Sequence, residues 1–132
     1  MAACCIGLLA AGGSHAESRI WMTVGQHRVA VALADTAAAR AFAARLPMTL
    51  DMSDLNDNEK KFDLPQALPA NASRPRTIRN GDLMLYGQNT VVLFYLTFDS
   101  PYAYTRLGRE KNPSGLAQAL GPRNVRVHFS RD

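Results

Sequence analysis

Past residue 5 the chain contains no cysteine; its two, Cys4 and Cys5, sit in an N-terminal apolar run. The remainder therefore has no disulfide, no thiol nucleophile and no thiolate metal ligand. Such a composition suits an oxidising compartment, where stray thiols mispair. Histidine is nearly as scarce. His27 and His128 fall on different candidate strands, and zinc needs three or four ligands, so no metal site is expected. No Gly-x-Ser-x-Gly elbow, phosphate loop or dinucleotide fingerprint occurs, and Gly115 and Gly121 are too sparse to make one. No cofactor is expected, and no recognisable catalytic set stands out.

Asp51, Asp54, Asp57 and Glu59 crowd one segment, and Asp54-x-Asn56-x-Asn58 imitates the start of a calcium loop. The imitation fails. Glu59 stands where the loop requires glycine, and Pro65 stands at the terminal bidentate position. The segment reads as a turn with solvated acids.

The N-terminal run Ala2–Ala11 is apolar, of signal-peptide length and too short to span a bilayer. Ser14 and Ala16 suit the small-residue positions of a cleavage site, although no Lys or Arg precedes the run. The expectation is a truncated signal peptide over residues 1–16 and a single domain over 17–132, exported to the periplasm or beyond. Two other readings stay open. One is lipid anchoring through Cys4, after Ala2-Ala3; the other is a cytoplasmic protein with a misassigned start.

The chain carries 47% hydrophobic residues, enough for one packed interior, and a net charge of +4. Its densest basic group is Arg74, Arg76 and Arg79. Neither interleaved aromatics nor a reading helix accompanies it, so it reads as a solvated loop, and no nucleic-acid partner is expected.

Period-two alternation runs through most of the domain. Arg19–Val24 and His27–Leu33 flank Gly25-Gln26 as a hairpin. A helix capped by Asp35 runs to Leu46, with Ala38, Phe42 and Leu46 as its apolar stripe and Pro47 as its stop. Met48–Ser53 alternates, and Lys61–Leu64 is a short return strand. Pro65–Arg76 is an ordered surface loop. Leu83–Tyr86 turns through Gly87-Gln88-Asn89 into Thr90–Leu96, whose near-continuous apolarity marks a strand buried on both faces. Ala103–Leu107 is a further strand ended by Gly108, Ser114–Leu120 a short helix, and Asn124–Phe129 the last strand. About eight strands and two short helices make the chain mostly β, a barrel or a sandwich.

Four stretches resemble the bacterial cyclophilin-like domain proteins. They are Arg40-Ala-Phe-Ala-Ala-Arg-Leu-Pro47, Asp54-Leu-Asn-Asp-Asn-Glu-Lys60, Gly81-Asp-Leu-Met-Leu-Tyr-Gly87 and Asn89-Thr-Val-Val-Leu-Phe-Tyr95. The resemblance covers about Ile20 to Phe129. It implies a closed, mostly antiparallel β-barrel with helices over its ends, and no settled activity. True cyclophilins are peptidyl-prolyl isomerases whose catalytic arginine lies in a Phe-His-Arg strand after the first helix. Here Gln26-His27-Arg28 precedes that helix, and the proline-binding aromatic and tryptophan motifs are not recognisable, so the role is not carried to Arg28.

The aromatics suggest a ligand site instead. Tyrosine and arginine line binding sites well, and Tyr104 and Arg106 share a face of one candidate strand. A pocket is expected from Glu59, Phe62, Tyr86, Phe94, Tyr104 and Arg106, with Arg106 facing Glu59 and receiving an anionic or carbonyl group. The function expected is a small-molecule or peptide binding module without a transmembrane segment. The alternative is an enzyme, a diverged peptidyl-prolyl isomerase.

Overall fold

The alternating segments pair in an order that closes on itself. A computed structural model describes residues 18–132; the expected leader, with Cys4 and Cys5, lies outside the described residues. The strands are β1 (Arg19–Val24), β2 (His27–Leu33), β3 (Met48–Leu55), β4 (Glu59–Asp63), β5 (Thr77–Ile78), β6 (Asp82–Tyr86), β7 (Thr90–Phe94), β8 (Phe98–Asp99), β9 (Thr105–Glu110) and β10 (Val125–Ser130). Eight of them form a closed antiparallel barrel in the order β1-β10-β3-β4-β7-β6-β9-β2, and β5 pairs with β8 outside it. Closure removes the exposed edges that an open sheet of this size would present.

Alternation assigns the two faces. Ile20, Met22, Leu50, Met52, Leu83, Leu85, Val91, Leu93, Val127 and Phe129 belong to the inner core. Helix α1 (Ala37–Ala44) lays Ala38 and Phe42 on that core, and the Phe42 ring meets Phe129 edge-on at 5.4 Å. Full burial of one such side chain contributes roughly 2–3 kcal/mol. Helix α2 (Leu116–Leu120) adds Leu116 and Leu120.

Several boundaries differ from the sequence reading. The N-cap of α1 is Thr36, whose Oγ1 accepts from the Ala39 N–H at 3.0 Å; Asp35 instead pairs with Arg40 at 2.8 Å. Helix α2 starts at Leu116, with Gly115 as its N-cap in the left-handed region. Gly108 does not end β9 but lies within it. A Cβ there would stand 2.5 Å from the Ala32 carbonyl oxygen, so the glycine marks close approach of β2. β5 and β8 were not foreseen, because two-residue strands leave no periodic signal.

The outer face of β6 and β7 is covered as well. Ile78, Met84, Val92, Phe94 and Tyr104 form a second buried cluster, against which Phe98 packs. Thus the near-continuous apolarity of β7 is explained by cores on both sides. The loop before β5 is held over this face by the Ser73–Tyr104 bridge and by the Asn71 N–H, which donates to Thr105 Oγ1 at 2.9 Å.

Candidate functional site

Where that second cluster ends, the outer face opens into a concavity. The β3–β4 turn starts it: Asn56 and Asp57 both take positive φ, which these side chains tolerate. The turn pairs Leu55 with Glu59, and alternation along β4 puts Glu59, Lys61 and Asp63 on one face. Val92 and Thr90 of β7 lie across the ladder from Lys61 and Asp63. Tyr86 of β6, with Tyr102 and Tyr104 from the segment before β9, forms the opposite wall. The enclosed volume is about 440 Å³, within the range of small-ligand sites.

The tyrosines interlock. Tyr86 meets Tyr102 edge-on with centroids 6.2 Å apart and Tyr104 at 5.7 Å, and Tyr104 meets Phe94 edge-on at 5.5 Å. Tyr104 is buried, whereas Tyr86 and Tyr102 are 48% and 57% exposed. Two ring surfaces therefore remain open to a ligand on a third that is fixed by packing.

The charges are not balanced. Lys61 Nζ lies 3.5 Å from Asp63 Oδ2, and Asp63 Oδ1 also accepts from Thr90 Oγ1 at 2.8 Å. Glu59 is 8% exposed, and among the described residues no hydrogen bond or ion pair to its carboxylate is found. Burial pushes its carboxyl above the ordinary value, and the nearby Asp54 charge adds to that. Tyr104 is also raised, chiefly by burial, against a hydrogen bond with Ser100 and with a contribution from Glu59.

Three of the six residues expected at a pocket, Glu59, Tyr86 and Tyr104, line this concavity. Phe94 supports it from beneath, through Tyr104. Phe62 is one residue out of phase with Glu59 and Lys61, and packs on the inner core. Arg106 lines a different depression, with Ala32, Leu33, Ala34, Gly108, Arg109 and Lys111. Tyr104 and Arg106 do lie on one side, the outer one, because Arg106 stands opposite Met84 of the cluster that holds Tyr104, but Arg106 lies beside β2 and away from this concavity. Tyr102, Lys61 and Asp63 were not among the six residues expected there; extending the β4 alternation back to Glu59 would have found the latter two.

Elsewhere, Arg28 lies over the Trp21 ring with its guanidinium 3.9 Å from the centroid. His128 Nδ1 is 2.8 Å from Thr49 Oγ1, and His27 Nε2 is buried without a partner among the described residues. No group of three or more His, Cys, Asp or Glu that could hold a metal ion is found among the described residues. No helix among them is long and apolar enough to cross a membrane.

The model of the cyclophilin-like family matches residues 22–130. The fold is similar to the solution structure of a hypothetical protein from Archaeoglobus fulgidus, with a TM-score of 0.58 and 19% identity over 88% of this chain and 95% of that one. At that identity the likeness concerns the fold alone. No curated protein matches the chain.

Proposed function

We propose that this chain, which belongs to the cyclophilin-like family, is an exported binding module that holds a small molecule or a peptide side chain in the outer concavity. The observation that carries the reading is Glu59, a buried carboxylate without a partner among the described residues, facing a cavity of about 440 Å³ beside Tyr86 and Tyr102. A carboxylate partly withdrawn from water without a partner costs stability, and a ligand that pairs with it recovers that cost. Most of the wall comes from strands and a tight turn of a closed barrel, and Tyr104 of the segment before β9 is fixed by its bridge to Ser73, so much of the site is held in shape before a ligand arrives.

Isomerase chemistry gains no support from Arg28, whose guanidinium is engaged on Trp21. Export rests on the apolar run Ala2–Ala11 and on Ser14 and Ala16, and N-terminal sequencing of the secreted or periplasmic protein tests it. The binding role is tested by a thermal-shift screen of small molecules and short peptides, since a ligand of the folded state must raise Tm. The expected result is a hit whose shift disappears in Tyr86→Ala. Hits that persist in that variant, or acceleration of proline isomerisation that is lost in Arg28→Ala, would overturn the reading.

A further inference from the structure

We infer that the group bound in this concavity is an alkylammonium cation, its charge on the Glu59 carboxylate and its methylene or methyl groups against Tyr86, Tyr102 and Tyr104. The inference rests on the reading of the concavity as a binding site and names the chemistry of its ligand.

Charge decides the sign. Among the described residues Lys61 is the one cation lining the cavity, and Asp63 stands 3.5 Å from it. That pair is neutral, so Glu59 leaves the cavity with one net negative charge. The arginine expected to receive an anion, Arg106, lines a separate depression. An anionic ligand would therefore meet an uncompensated carboxylate, whereas a cation would supply the partner that Glu59 lacks.

The wall decides the class. Tyrosine rings attract a cation over their faces, and several rings around one carboxylate suit an ammonium with an apolar skin. The exposed surfaces of Tyr86 and Tyr102 are aromatic area of that kind. A bare divalent ion is a poor match. It takes six or more oxygen ligands, and here one carboxylate is free.

The test uses the full chain and NMR titration followed at Tyr86, Tyr102 and Tyr104. Probes are choline, n-butylammonium, the capped peptide acetyl-Ala-Lys-Ala-amide, the neutral choline isostere 3,3-dimethylbutan-1-ol, and butyrate. The expected result is saturable shifts with the cations, at least tenfold tighter than with the neutral isostere, and none with butyrate. Glu59→Gln should weaken cation binding at least tenfold and leave the isostere unchanged. Tyr102→Ala, at an exposed position, should weaken it several-fold. The peptide binding tenfold tighter than n-butylammonium would assign the ammonium to a lysine side chain; equal affinity would assign it to a free amine. Isostere or butyrate binding at these tyrosines as tightly as the cations would overturn the ammonium assignment and leave the binding site standing. No shift with any probe would overturn both.

Discussion

Tyr95 donates its phenolic O–H to Asp54 Oδ1 at 2.5 Å, and the same oxygen accepts from Lys60 Nζ at 3.0 Å. Lys60 is fully buried, and its ammonium also donates to the carbonyls of Gly121 at 2.7 Å and Arg123 at 2.6 Å. All three of its donors are thus used, and β3, β4, β7 and the segment after α2 are tied at one end of the barrel. Burial alone would raise the Asp54 carboxyl, but the Tyr95 and Lys60 contacts outweigh it and hold the group below its ordinary value. Tyr95 is pushed upward, by burial first and then by its bond to Asp54.

This clamp predicts the cost of removing its cation. Lys60→Met keeps the length and apolar stem of the side chain but leaves two carbonyls without their donor and Asp54 without its counter-charge. Breaking a buried pair by deleting one partner costs about 3–5 kcal/mol. Urea unfolding of the variant should show a loss of that order, and a loss below about 1 kcal/mol would show that the ammonium is solvated in the folded state.

Glu110 predicts a pH dependence. It lies opposite Val31 at the end of β9, is 1% exposed, and neither carboxylate oxygen has a hydrogen-bond partner among the described residues. Burial pushes its carboxyl from 4.5 up to about 7. The folded state therefore holds a proton that the unfolded chain releases, so this group's contribution is fully present below about pH 4.5 and is lost as pH rises to about 7. At about 1.4 kcal/mol per pKa unit, the loss is on the order of 3 kcal/mol. Glu59 is raised in the same direction and adds to the slope. Glu110→Gln should be more stable than the parent at pH 8, equal or less stable at pH 4, and much flatter between them by denaturant titration. An unchanged slope would mean that Glu110 is hydrated.

Gly108 predicts a steric failure. An added Cβ would stand 2.5 Å from the Ala32 carbonyl oxygen and 3.0 Å from Val31 Cγ1. The first neighbour is backbone in a paired strand and cannot rotate away. Gly108→Ala should lower stability by about 2 kcal/mol or more, since overpacking typically costs 1–3 kcal/mol, with a matching fall in Tm. Gly25→Ala is the control: no atom lies within 4 Å of its Cβ, and the strain there comes from its φ of +59° alone.

Legibility followed the physics of each signal. Strands with one buried face write a period of two into the sequence, so β1 and β2 were readable; β7, buried on both faces, was readable from its continuous apolarity, and the turn residues between β6 and β7 fixed their pairing. β9 was misplaced because Gly108, ordinarily a breaker, is there required by the approach of β2. Glu59, Tyr86 and Tyr104, which come from three separate segments, were among the residues expected at a pocket and line one concavity. What brings Tyr102 to Tyr86 is a bridge between Ser73 and Tyr104, a contact between a loop and a strand flank that no local period encodes. Arg106 shares the outer side with Tyr104 but lines another depression, and no local period tells how far along that side a cavity extends.

The unpartnered carboxylate also predicts how binding responds to pH. Burial, and after it the Asp54 charge, raises the Glu59 carboxyl above its ordinary value. A cation pairs with the ionised form only, so below the raised value a proton must leave before the ligand can be held. Affinity for n-butylammonium should therefore rise with pH from 4 upward and level off once Glu59 is ionised in the free protein, with a proton released per ligand bound across that range. The neighbouring groups sharpen the reading. Asp54 is held low by Tyr95 and Lys60, and Tyr104 is raised above an already high value, so neither supplies this rise. Glu59→Gln should bind weakly with a flat profile from pH 4 to 8, while Asp63→Asn should weaken binding modestly and keep the rise. Calorimetry in two buffers of different ionisation enthalpy counts the released proton. A pH-independent affinity in the parent, or a rise that survives in Glu59→Gln, would place the cation on another group.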